Sequence, residues 1–113
     1  MIPRLVITTG ESAGIGPDVV LATAGADWPA QLVAIGCMEP LSARNQALGL
    51  AVSLVPYTSA QSATKHHANI LPVIDIPLDK PCIPAQLNPD NAGQVLAQLE
   101  LATELCRTQE CHA

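Results

Sequence analysis

The segment Gly10-Glu11-Ser12-Ala13-Gly14-Ile15-Gly16-Pro17-Asp18 combines residue types and spacing suited to receiving a ligand. Its glycines let the backbone turn sharply and let a ligand approach the main chain closely. Pro17 suits the first turn of a helix, where the N–H it lacks would have no partner. Asp18 then complements the positive end of that helix's dipole. A glycine-bearing loop that opens a helix aims backbone N–H groups at one point, where an anion such as a phosphate is stabilised. The pattern is neither the dinucleotide fingerprint GxGxxG nor a Walker loop, because the Lys-Ser/Thr pair is missing. Taken alone, it is equally compatible with a plain strand-to-helix turn.

Other reactive side chains are scattered. His66 and His67 are adjacent, and neighbours in extended chain point opposite ways, so a solvated loop is expected there. His112, with Cys111 and Cys106, lacks a fourth ligand and a rigid frame for a metal. Cys37, Cys82, Cys106 and Cys111 form no CxxC pair and read as reduced thiols. Asp75, Asp79 and Lys80 fall in a proline-rich connection and are expected in solvent. Thr8, Thr9 and Ser12 have no sequence-visible base, so nucleophilic catalysis has no support.

The elements around the loop follow from periodicity and punctuation. Leu5 to Thr9 is a β-branched run ending at Gly10, the mark of a buried strand, and a helix runs from Pro17 to about Gly25. Leu32–Ile35 is a second strand, Pro40–Leu48 a second helix and Val52–Val55 a third strand. Short connections between alternating strands and helices predict a parallel sheet. Thr58 to Asn69 is small and polar, a surface excursion. Ile70–Ile74 reads as a further strand, with Pro72 predicting an edge position. Pro77, Pro81, Pro84 and Pro89 punctuate an extended segment. A last helix is capped by Asp90 or Asn91 and buries Val95, Leu96, Leu99, Ala102, Leu105 and Cys106. Another core strand should follow that helix; none does, leaving an open sheet edge and a half-covered helix, as truncation would.

Composition narrows the class. The 113 residues are 49% hydrophobic with no Phe, one Trp and one Tyr, so the core must be aliphatic, as under a covered parallel sheet. A net charge of −5 offers no basic stripe for nucleic acid. No apolar run approaches the ~20 residues of a membrane span, and the N-terminus is unlike a signal peptide. A cytoplasmic protein is expected.

The glycine loop resembles Gly-(Asp/Glu)-Pro-Ala-Gly-Ile-Gly-Pro-(Asp/Glu), found just after the first strand in the 4-hydroxythreonine-4-phosphate dehydrogenase family. Ser12 stands where that family usually has Pro. Ala47-Leu48-Gly49-Leu50, Val55-Pro56-Tyr57 and Asn91-Ala92-Gly93 resemble it too, the last where the family more often has Asn-Gly together. The resemblance runs across the whole chain and implies that residues 1–113 are the N-terminal portion of the dehydrogenase. The implied fold is α/β, the first part of an isocitrate/isopropylmalate dehydrogenase-like α/β/α fold with a mainly parallel sheet. The implied activity is NAD(P)-dependent oxidation of 4-phosphooxy-L-threonine to a β-keto acid that decarboxylates to 3-amino-2-oxopropyl phosphate, in vitamin B6 biosynthesis. A divalent metal of the zinc, magnesium or cobalt type acts as Lewis acid in the family. Its histidine ligands, and the Gly-His-Thr stretch that holds the small phosphorylated substrate, belong to downstream segments, so no catalytic residue or metal ligand is expected here. The family is cytosolic and homodimeric.

The loop is also similar to Gly-Asp-Gly-Ile-Gly-Pro-Glu of isocitrate and isopropylmalate dehydrogenases, which lies near the nicotinamide. That similarity implies that Gly14, Ile15 and Gly16 line the cofactor cleft. Two other readings of the chain are a stand-alone phosphate- or nucleotide-binding α/β module and an inactive truncated remnant.

Overall fold

Four short aliphatic runs form strands in the computed structural model, which describes residues 1–59 and 61–113. These are β1 (Arg4–Thr8), β2 (Gln31–Gly36), β3 (Ser53–Pro56) and β4 (Ile70–Asp75). The helices are α1 (Gly16–Ala24), α2 (Met38–Ala47) and α3 (Ala92–Arg107), the last entered through a 3-10 turn at Pro89–Asn91. Every strand pairing is parallel, in the order β1-β2-β4-β3. The α/β expectation with a parallel sheet therefore holds.

Side chains alternate across the sheet, and each face is covered. Leu5, Ile7, Leu32, Ala34, Leu71 and Val73 pack with Val20, Leu21 and Ala24 of α1 and Leu41 of α2. On the opposite face, Val6, Ile35 and Ile74 meet Leu101, Ala102, Leu105 and Cys106 of α3, together with Cys111. Truncating a fully buried leucine such as Leu21 in such a core costs about 2–5 kcal/mol.

Pro72 does not put its strand on an edge. β4 lies inside the sheet, between β2 and β3. The N–H groups of Ser53 and Tyr57 donate to the carbonyls of Asn69 and Val73, so odd-numbered β4 residues turn their polar groups towards β3. The position of Pro72 therefore faces β2, and pairing with β2 begins only at Val73. The missing donor falls just before that ladder starts, which removes the usual objection to proline inside a sheet.

The stretch Thr58–Asn69 is more than a surface excursion, although Ala60 lies outside the described residues. It crosses the α3 face, where the Gln61 carbonyl accepts from the guanidinium of buried Arg4. His66 is 4% exposed, bridges to Trp28, and sets its Nε2 3.0 Å from the Ala24 carbonyl. His67 is exposed. The alternation of adjacent side chains thus holds, but it buries one histidine where solvent was expected for both.

The buried side of α3 also differs from expectation. Leu96 and Leu99 are 61% and 51% exposed, while Gln94, Gln98 and Leu105 are buried. Hydrophobicity alone assigns the leucines inward; hydrogen bonds to loops draw the glutamines in instead. Asn91 is not a side-chain cap: Asn88 accepts from the Asp90 N–H, and Asn91 reaches back to Lys80. Nor is the outer edge of β1 left open. His112 donates its N–H to the Arg4 carbonyl, and the Val6 N–H donates to Ala113.

Candidate functional site

Parallel strands bring their carboxyl ends to one edge of the sheet, and ligand crevices form there. A cleft of about 880 Å³ opens at that edge. Ser12 of the glycine loop, Cys37 and Met38 after β2, Asp75 at the end of β4, and Leu78 and Cys82 of the proline-rich segment line it. Asp75 is not simply solvated: its Oδ1 accepts from the Met38 N–H at 2.7 Å and caps α2 from a neighbouring strand. Asp79 and Lys80 are exposed, as expected.

The glycine loop is held by close backbone contacts. Gly10 has φ +72°, a conformation that favours glycine. Its N–H donates to Gln98 Oε1 and its carbonyl accepts from Gln98 Nε2, both at 3.0 Å. A Cβ at Gly16 would lie 1.9 Å from the Thr9 carbonyl oxygen, so the helix can begin there only with glycine. Within the loop, Gly14 N–H donates to the Glu11 carbonyl and Ala13 N–H to Glu11 Oε1. Ala85 N–H donates to the Ala13 carbonyl and ties the proline-rich segment to the loop.

Of the three residues expected at a cofactor, Ile15 caps α1 with its side chain 77% exposed, and Gly16 is the first helical residue. Gly14 is half-buried. The amides of Ile15 and Gly16 have no intramolecular partner among the described residues, as is usual for a helix start. Of the glycine loop, Ser12 lines this cleft, and Gly14, Ile15 and Gly16 do not. No bond donated by the Ser12 N–H is found among the described residues, so the proline usual in the family fits this position without losing one.

Electrostatics around the loop are set by one ion pair. Asp18 accepts from Arg44 Nε at 2.8 Å and Nη2 at 2.9 Å, a bidentate link between α1 and α2. The hydrogen-bonded guanidinium holds the Asp18 carboxyl below its ordinary range. Burial, and then the charge of Glu11, push the Cys82 thiol up. It stays protonated at neutral pH and makes a poor nucleophile.

Nothing here assembles a metal centre: among the described residues no three His, Cys, Asp or Glu side chains converge on one point. His112 Nδ1 accepts from the Arg4 N–H, which leaves it tied to β1. Each of the four cysteines is a free thiol. Among the described residues no helix is long and apolar enough to cross a membrane. Sequence reasoning missed Cys37, Asp75 and the α3 glutamines. The first two each sit at or just beyond the carboxyl end of a strand, a signal that strand assignment makes available.

No family model matches the chain. A 4-hydroxythreonine-4-phosphate dehydrogenase from Vibrio cholerae is 42% identical over 110 residues, covering 97% of this chain and 33% of the relative. One from Vibrio vulnificus is 40% identical over 113 residues, covering all of this chain and 34% of the relative. The solved structure of the enzyme of that name from Klebsiella pneumoniae superposes with a TM-score of 0.83 at 24% identity, covering 98% of this chain and 35% of that one. That likeness shows the fold, and the sequence identities reach further. On these identities the chain belongs to the 4-hydroxythreonine-4-phosphate dehydrogenase family, and it spans about a third of the length of the curated relatives it matches.

Proposed function

We propose that this chain is the glycine-loop portion of an NAD(P)-dependent oxidoreductase acting on 4-phosphooxy-L-threonine in vitamin B6 biosynthesis. The carrying observation is 40% identity across all 113 residues to a relative named for that activity. In the reaction, the secondary alcohol gives a hydride to the nicotinamide and a proton to solvent. The resulting β-keto acid then loses carbon dioxide to leave 3-amino-2-oxopropyl phosphate.

The part of this chain is to present main chain and apolar surface to the dinucleotide. The Ile15 and Gly16 amides at the start of α1 suit a negatively charged group. The exposed Ile15 side chain suits an apolar ring face. Gly14, Ile15 and Gly16 are thus our proposed cofactor-lining residues. The complete fold is proposed to be isocitrate/isopropylmalate dehydrogenase-like, and the complete protein a cytoplasmic homodimer. A divalent metal would polarise the reacting oxygen. The residues described here do not fit such a metal, so its ligands belong to other parts of the protein.

The full-length protein should reduce NAD(P)+ when given 4-phosphooxy-L-threonine, and these 113 residues alone should not. Full-length protein that is folded yet inactive on this substrate, with metal supplied, would overturn the reading. Phosphate or nucleotide binding by the isolated chain, in a full-length protein without activity, would favour the stand-alone module instead.

A further inference from the structure

We propose that Gln98 is a positioning residue for the glycine loop and, through that loop, for the bound dinucleotide. The inference rests on the reading of Gly14–Gly16 as the cofactor wall. Gln98 lies on α3, 88 positions from Gly10 in sequence, and is fully buried. Its carboxamide takes up both polar groups of Gly10, accepting the N–H and donating to the carbonyl. The last bond into β2 beside them is donated by the Thr9 N–H to Ile35, so Gly10 lies just past the reach of the sheet. Glycine is the residue most free to rotate its flanking peptides. A single amide that fixes both groups of Gly10 fixes the direction in which the loop leaves β1.

The orientation of that amide is itself determined. A flipped Gln98 would face donor to donor at the Gly10 N–H and acceptor to acceptor at its carbonyl. Nε2 also donates to Gln94 Oε1 at 2.6 Å, and Gln94 Nε2 donates to the Ile76 carbonyl at 3.0 Å. One row of amides on α3 therefore links the glycine loop to the start of the segment that forms the facing wall of the cleft. Asn91, further along the same side, clasps the N–H and carbonyl of Lys80 in that wall.

Packing alone does not require glutamine. An aliphatic side chain would cover the sheet without desolvating a carboxamide, and burying a polar group is unfavourable unless it is bonded. Exposed Leu96 and Leu99 lie on the same helix. What Gln98 supplies, and leucine cannot, is the bracket on Gly10.

The test uses full-length protein carrying Gln98→Met, which keeps the side-chain length and removes both bonds to Gly10 along with the one to Gln94. Amide hydrogen exchange at Gly10 and fluorescence titration with NADH are the readouts. We expect Gly10 to lose protection, Ile35 and Leu71 to keep theirs, and NADH affinity to fall about tenfold, with kcat changed less than the dinucleotide KM. Protection lost at Gly10 with affinity within about twofold would make Gln98 merely structural and overturn the proposal. Unchanged Gly10 exchange, or wild-type protein that binds no NADH, would overturn it as well. Should Gln98→Met not fold, Gln94→Leu leaves the Gly10 bonds but frees the second N–H of Gln98. It should weaken NADH binding about threefold, and no effect there counts against the relay. Weakened NADH binding in a protein with no activity on the phosphothreonine would defeat the proposed reaction while leaving the role of Gln98 standing.

Discussion

Gly16 and Thr9 touch through bare backbone: a Cβ on Gly16 would lie 1.9 Å from the Thr9 carbonyl oxygen. The first residue of α1 is thereby pressed against the end of β1, and the loop between them is closed into a tight turn. Gly16→Ala should lower stability by about 3 kcal/mol or more, read from the urea midpoint, because neither main chain can move without disturbing the sheet. Gly93→Ala is the control, since a Cβ there would meet nothing within 4 Å. In the first turn of α3 it should be neutral or stabilise by up to about 1 kcal/mol.

The Thr9 hydroxyl is buried with no hydrogen-bond partner among the described residues. Thr9→Val keeps the shape and removes the orphaned oxygen, so it should be neutral or stabilising by about 1 kcal/mol. Gly36→Ala places a methyl 2.4 Å from that same oxygen and should destabilise. Thr9→Ala in the Gly36→Ala background should recover part of the loss, and the two changes should not add in a thermal-unfolding cycle.

The Asp18–Arg44 pair makes the acid limb of stability testable. The carboxyl is lowered in the folded state from an ordinary value of 3.8. Its contribution is therefore full above that unfolded value and is lost as pH falls through the folded one. Asp18→Asn should make stability less dependent on pH below about 4, with little change in that slope near neutrality.

Tyr57 is the chain's one tyrosine, which gives the alkaline limb a clean probe. Burial, then the hydrogen bond to Glu110, push its hydroxyl up to about 12 from 10.0. The neutral phenol is favoured in the fold, so this contribution is full below pH 10 and disappears as pH rises through about 12. Phenolate absorbance should titrate near the higher value in folded protein and near the lower one in urea. Tyr57→Phe should flatten stability over the same window.

Strand content, the glycine loop and the first two crossovers were legible because each rests on local pattern: aliphatic runs, Pro17 after Gly16, short connections. The place of β4 was not, because it depends on which side of the strand Pro72 turns its nitrogen, a matter of register. The buried glutamines were illegible for a related reason. Gln94 and Gln98 read as a polar face until Gly10 and Ile76 supply partners, and those contacts span 88 and 18 positions. His66 likewise became an interior residue through Ala24, 42 positions earlier.

Ile15→Ala in the full-length protein tests the central claim most directly. Ile15 holds the N-cap position of α1 without a side-chain hydrogen bond, is 77% exposed and packs into neither core, so the substitution should leave the unfolding midpoint unchanged. If the loop from Gly14 to Gly16 faces the dinucleotide, the KM for NAD(P)+ should rise about fivefold. A KM equal to wild type, with the protein folded and active on 4-phosphooxy-L-threonine, would contradict the account.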